Sequence, residues 1–285
     1  MTFQTGSESP SPALAALSNR GVLELSGTDR VSFLQGLVSN DVEQAAPGHA
    51  VWAALLTPQG KYLTDFFIFA SDEILLLDCE RAAIPMLLAR LPRFRLRAQV
   101  TIAARDGWTV YAGWNAAAPP GIAAPDPRLA TAGFRLLSPD PLPVTATQAD
   151  YDRHRLTLGL PDGARDLEPE KTTLLEAGFD ELSGISWTKG CYMGQELTAR
   201  TKYRGLLKRR LVPVTLDGPL PAPGTPVLHN GAEIGTMRSG LDHRGLAILR
   251  LDALDASLRC GESTLRPDIP AWMKLPEKIP RPAST

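Results

Sequence analysis

Residues 51–77 read VWAALLTPQGKYLTDFFIFASDEILLL. Val51 to Thr57 is an apolar run of strand length. Pro58-Gln59-Gly60 follows in the order that a tight turn favours. Tyr62 to Ala70 returns as a second strand, so the pair predicts a hairpin, and Ile74 to Leu77 predicts a third strand. Upstream, Val22-Leu23-Glu24-Leu25 reads as a strand. Thr28 or Asp29 can then cap a helix whose Val31, Leu34, Leu37 and Val38 recur on one face, with a break at Asn40-Asp41. Downstream, Glu80 to Leu91 predicts a helix, and Leu96 to Ala103 and Trp108 to Trp114 predict strands. A strand, helix, strand, strand order of this kind points to an α+β lobe of ferredoxin-like type.

Farther along, residues 115–133 are rich in Ala, Pro and Gly and read as a surface loop or lobe connector. Ala149 to Leu158 predicts a helix that stops at Gly159-Leu160-Pro161, and Asp162 to Glu170 reads as loop. Ile185-Ser186-Trp187 reads as a strand, and Gln195 to Tyr203 favours helix. Beyond Leu211 the pattern becomes short strands and turns, with Asn230-Gly231 as a two-residue hairpin signal. Residues 211–267 therefore predict a small all-β barrel or sandwich. The expected organisation is a flexible N-terminus over 1–18, a two-lobed α+β body over 19–205, a β-barrel over 206–270 and a surface tail over 271–285 pinned by Trp272.

The 285 residues are 44% hydrophobic and 21% charged, enough for a sizeable core. The formal charge of −1 argues against a dedicated nucleic-acid role. No run approaches the length needed to span a bilayer, and the N-terminus lacks the pattern of a secretory signal. The three cysteines, Cys79, Cys191 and Cys260, are scattered and form no CxxC. That argues for a reducing compartment and against a disulfide framework or a structural zinc site. A cytoplasmic protein without a resident metal is expected.

The chemistry concentrates in Lys189-Gly190-Cys191-Tyr192-Met193-Gly194-Gln195-Glu196. Gly190 and Gly194 permit sharp turns. A following helix N-terminus and the Lys189 cation would both favour thiolate at Cys191. The plain alternative is a buried apolar cysteine. Glu196 and Arg200, four apart, can pair on the helix. The stretch containing Arg200, Lys202, Arg204, Lys208, Arg209 and Arg210 is either a solvated face or a dock for carboxylates. Asp65 sits within an apolar strand, where it faces outward or is used. Trp187 and Tyr192 offer flat surfaces to a ring or pack the core.

KGCYMGQE resembles the signature of the YgfZ-type folate-binding proteins, relatives of the glycine-cleavage aminomethyltransferase. LELSGTDRVSFLQGLVSNDV, LTPQGKYLTDF, RLTLGLPDG, GAEIGTMRSG and GLAILRL resemble the family's other blocks, in order, over about residues 20 to 270. The resemblance implies an aminomethyltransferase-like folate-binding body with a small C-terminal β-barrel, arranged around a cavity for tetrahydrofolate or a derivative. It implies a role in assembly or repair of iron–sulfur enzymes, with those enzymes or their assembly proteins as partners. Cys191 and Lys189 match the signature's key positions. Asp65, Trp187, Tyr192, Gln195, Glu196, Arg200 and Arg204 would line the folate site. The chain departs from the transferase at Thr157, where that enzyme carries Glu, and at Thr64-Asp65, where it carries paired aspartates. Aminomethyl transfer is therefore the weaker alternative. A non-catalytic protein-binding scaffold is the other.

Overall fold

The computed structural model describes residues 11–205 and 207–275. The predicted hairpin is present. Strand β3 (Val51–Leu56) pairs antiparallel with β4 (Tyr62–Ser71), and β4 pairs with β5 (Ile74–Glu80). The turn uses Gly60 at φ +72, a conformation open to glycine at no steric cost. Strand β3 is buried along its whole length because the sheet is covered on both faces. Trp52, Ala54 and Leu56 enter one core, and Val51, Ala53 and Leu55 enter the other.

The remaining strands of this sheet are β2 (Arg20–Ser26) and β6 (Thr101–Ala104), giving the order β3-β4-β5-β2-β6. Helix α1 (Arg30–Gln35) follows β2, and α2 (Ile84–Arg90) joins β5 to β6. Strands β4, β5, β2 and β6 with these two helices form the expected ferredoxin-like lobe, and β3 extends its edge. The helix predicted over 80–91 is shorter than expected. Single 3₁₀ turns flank α2 on both sides. The strand predicted from Leu96 begins only at Thr101, since Leu96 is exposed at φ +46.

A second sheet orders as β1-β7-β9-β8, from β1 (Ala13–Ala16), β7 (Thr109–Trp114), β8 (Ile122–Pro125) and β9 (Phe134–Ser138). Two expectations change here. Residues 13–16 are not a frayed terminus, because β1 pairs with β7 from Ala13↔Trp114 to Ala16↔Tyr111. Residues 1–10 lie outside the described residues. The 115–133 stretch is not all loop, because β8 pairs with β9. Helix α3 (Gln148–Leu158) lies against this sheet. It starts with a capping box between Thr147 and Asp150 and ends at Gly159 in the left-handed region, φ +74. The main core lies where the two sheets, α3 and the 160–187 segment meet.

Helix α4 (Gln195–Tyr203) has the predicted bounds. After it, β10 (Arg209–Asp217), β11 (Pro226–His229), β12 (Ala232–Leu241), β13 (Arg244–Arg250), β14 (Leu258–Cys260) and β15 (Ser263–Pro267) close a barrel. The closing pair is β10 with β15, so the sheet has no free edge. Asn230 and Gly231 turn β11 into β12 at φ +50 and +80. Trp272 donates its indole N–H to the Leu158 carbonyl at 2.8 Å, tying the end of the described chain to α3. The rest of the tail, 276–285, lies outside the described residues.

Candidate functional site

The segment that carries Cys191 is not delivered by a strand. Residues 185–187 pair with no strand, because they lie on the turn after α1 instead of in a sheet. Ser186 N–H donates to Ser39 O at 3.1 Å, the Ser39 hydroxyl to Gly184 O at 2.6 Å, and Asn40 Nδ2 to Ser183 O at 2.8 Å. Met193 N–H reaches Gly36 O at 3.3 Å. Gly194 then caps α4 at φ +83. A Cβ at Gly194 would stand 2.6 Å from Thr57 O and 2.9 Å from Gly60 Cα, and one at Gly60 would stand 2.8 Å from Gly194 O. The thiol segment and the β3–β4 turn are therefore in backbone contact, which requires glycine on both sides. Gly190 is different. Nothing lies within 4 Å of a Cβ placed there, and no left-handed φ is needed.

Of the three cysteines, Cys191 alone is exposed. Burial pushes the Cys79 thiol up to about 12 and raises Cys260 as well. Cys191 is thus the reachable thiol. Tyr192 beside it is buried, and burial lifts its phenol to about 12.

Lys189 is bonded to main chain far from it in sequence. Its ammonium donates to the carbonyls of Gln35, Val38 and Asn40 at 2.6, 2.8 and 2.7 Å. An ammonium has three N–H donors, and all three are committed. Burial lowers Lys189 to about 8, against the upward pull of Asp41 and Glu43. The first amide of α4, Gln195 N–H, is likewise taken by Tyr192 O at 3.2 Å. The donors of both groups are thus taken by main-chain carbonyls.

Asp65 lies on the face of β4 that also carries Phe67 and Phe69, pointing into the core between the sheets. It is 2% exposed and accepts from Trp52 Nε1 at 2.8 Å and Tyr62 Oη at 2.7 Å. Around it lies a charged cluster that the sequence reading missed. Asp78 pairs with Arg20 at 2.6 Å and Arg135 at 3.4 Å, and Asp126 pairs with Arg128 at 2.7 Å. The three guanidinium groups surround the Phe67 ring, with centroid distances of 5.7 Å for Arg20, 4.9 Å for Arg128 and 4.4 Å for Arg135. Asp78 carried a signal, being a carboxylate in an apolar strand like Asp65. Asp126 and Arg128 carried none, since they sit in the stretch read as a connector.

The remaining expected folate residues do not join Asp65. Arg200 and Arg204 are exposed on α4, and Arg200 pairs with the exposed Glu196 at 3.4 Å. Trp187 is half-buried and donates to Asp180 at 2.8 Å. Its ring lies 4.1 Å from Lys202 Nζ and meets Tyr203 edge-on at 6.1 Å. Gln195 is half-buried at the start of α4. Thr157 faces solvent with its hydroxyl on Arg153 O at 2.8 Å. A cleft of about 640 Å³ opens elsewhere, between the body and the barrel, lined by Thr173, Glu176, Lys208, Arg209 and Arg250 among others. It shares none of the expected folate residues, although Lys208 and Arg209 belong to the basic stretch read as a solvated face or a dock for carboxylates. A pterin needs an opening and a carboxylate free to meet its N–H groups. Asp65 is enclosed and already accepts two hydrogen bonds, so it does not fit that pterin-holding role. Among the described residues, no group of three or more His, Cys, Asp or Glu could hold a metal ion, and no helix is long and apolar enough to cross a membrane.

The family model of the CAF17 C-terminal beta-barrel domain matches residues 208–275, which contain the closed barrel. The mitochondrial iron–sulfur cluster assembly factor IBA57 of Homo sapiens is 32% identical over 298 residues, covering 90% of this chain and 84% of its own. The mouse protein is 32% identical over 281 residues, covering 85% and 78%. The homolog from Mycosarcoma maydis is 33% identical over 352 residues, covering 95% and 87%. This chain belongs to the IBA57 family of iron–sulfur cluster assembly factors. The glycine cleavage system aminomethyltransferase T of Bartonella henselae superposes with a TM-score of 0.72 at 15% identity, covering 91% of this chain and 85% of its own. The IBA57-family chain thus has the aminomethyltransferase-like fold expected from its motifs. The expected cytoplasmic location is corrected by these relatives, which are all named as mitochondrial.

Proposed function

We propose that this chain is an accessory factor in the assembly or repair of iron–sulfur enzymes, and that Cys191 is the group through which it acts. The observation that carries this is the contrast among its thiols: two are buried, and the third is presented at the surface on an anchored segment. Thiolate is the form that ligates iron in clusters. A single cysteine cannot hold a cluster alone, so the other ligands come from a partner chain or a small thiol. The cluster in this reading is cargo.

Replacing Cys191 with Ala should lower the activity of cluster-dependent enzymes in cells while the purified variant keeps its wild-type melting temperature. Unchanged enzyme activity in that variant would count against the proposal.

Tetrahydrofolate is not assigned a role in this reading, because Asp65 is enclosed by Trp52 and Tyr62. The aminomethyl-transfer alternative loses support for the same reason. A titration of wild type and Asp65→Asn with tetrahydrofolate should show no saturable binding. Saturable binding that Asp65→Asn weakens would restore folate to the site.

A further inference from the structure

The bonds of Lys189 leave the thiol segment and end on a different part of the chain. Helix α1 finishes at Gln35, and helix ends leave carbonyls without intrahelical partners. A basic side chain in the last turn commonly meets such carbonyls. Helix α1 has no basic residue in its last turn. Lys189 supplies the missing cation from far along the sequence, reaching Gln35 O, Val38 O and Asn40 O at 2.6–2.8 Å.

We infer that Lys189 is a positioning residue for Cys191: its ammonium, held by three carbonyls of the turn after α1, fixes the thiol-bearing segment in one place on the body. This rests on the reading of Cys191 as the functional thiol. The other contacts along the seam act in the same direction. Ser39, Asn40 and Gly36 bond the segment on either side of Lys189 through Gly184, Ser183, Ser186 and Met193. The buried Tyr192 ring, next to Cys191 in the chain, lies 5.4 Å from Lys189 Nζ. Asp41 is close enough to attract the ammonium, but its carboxylate is tied to Gln35 Nε2 and the Glu43 amide at 2.7 and 3.2 Å. The carbonyls, not a carboxylate, define where the ammonium sits. Directional bonds to three fixed acceptors set a position more narrowly than attraction to one charge. The same commitment removes Lys189 as a donor to the sulfur.

Two roles for Lys189 are then separable in the full-length protein. If it positions the segment, Lys189→Met speeds amide hydrogen exchange across residues 186–193 by about ten-fold or more, with exchange in the barrel strands unchanged. Lys189→Arg, which keeps donors for the same carbonyls, restores most of the protection. The pH midpoint of Cys191 alkylation by iodoacetamide stays at its wild-type value in both variants. If instead Lys189 acidifies the thiol, the midpoint in Lys189→Met rises by about one unit or more and exchange is unaltered, which overturns the inference. Should Lys189→Met fail to fold, nitrogen-15 NMR of the wild type gives the answer. A slowly exchanging lysine ammonium signal that is absent from Lys189→Arg supports the clamp, and its absence from wild type overturns it. Failure of the Cys191→Ala test in cells would sink the functional reading and leave these exchange results standing, so the two are distinguishable.

Discussion

At the centre of the body Arg20, Arg128 and Arg135 gather around Phe67 and share Asp78 and Asp126, all of them sealed from water. At the rim, a short walk along β3 and β4, Cys191, Glu196 and Arg200 stand in solvent. The first region holds many charges and offers no reachable reactive atom. The second exposes the one accessible cysteine thiol. Ionisable side chains in the first maintain the architecture, whereas in the second they are available to another molecule. Burial of a carboxylate, taken alone, is thus a poor guide to where this protein does its work.

The largest effect that would test this contrast is in the sealed cluster. Asp126→Asn leaves Arg128 and Arg135 without their shared anion, and breaking a buried pair costs about 3–5 kcal/mol. Urea unfolding should show that loss, and a change near zero would mean the cluster is hydrated. Its pH signature follows from the same residue. Burial alone would raise the Asp126 carboxyl, but Arg128, helped by Arg135, more than reverses this and holds it below the usual range. A carboxylate lowered in the folded state contributes stability above the unfolded value of about 4 and loses it as pH falls through the folded value. Wild type should therefore lose stability progressively below about pH 4, and Asp126→Asn should show a flatter acid limb.

A middle-sized effect lies where the two regions touch. Gly194→Ala forces a side chain against Thr57 O at φ +83 and should cost about 1–3 kcal/mol. Gly190→Ala, just ahead of Cys191 in open space, should stay within about 0.5 kcal/mol. Equal effects at the two glycines would erase the distinction between anchored and free backbone. The smallest stability change is expected at the thiol itself. Cys191→Ala should move the urea midpoint by no more than about 0.5 kcal/mol allows, since the side chain is exposed. A larger loss would mean that the sulfur packs, and the contrast would fail at its key residue.

The strands with strong apolar patterning were legible in the sequence, as were the Asn230-Gly231 turn and the bounds of α4. Strands β1 and β8 were not, because ALAA has no β-branched or aromatic residue and IAAP has only Ile122. Their pairing with β7 and β9 makes them strands. Residues 185–187 failed in the opposite sense. Their apolar ends suggested a strand, yet the nearest backbone to bond was the Ser39 turn. In the site, the sequence left an exposed thiolate and a buried apolar cysteine both open, and the structure exposes Cys191. The charged cluster was not legible, since Arg20, Asp78, Asp126, Arg128 and Arg135 are brought together only by the stacking of two sheets. Closeness in sequence suggested that Lys189 acts on Cys191, and what the sequence could not show is that its ammonium bonds the carbonyls of Gln35, Val38 and Asn40.

The mutual approach of Gly60 and Gly194 has a consequence for engineering. LTPQGKYLTDF and KGCYMGQE are written far apart, yet they form one object joined backbone to backbone. Transplanting the cysteine motif alone into another scaffold would move the sulfur without its seat. A working graft would have to carry the hairpin corner along with it.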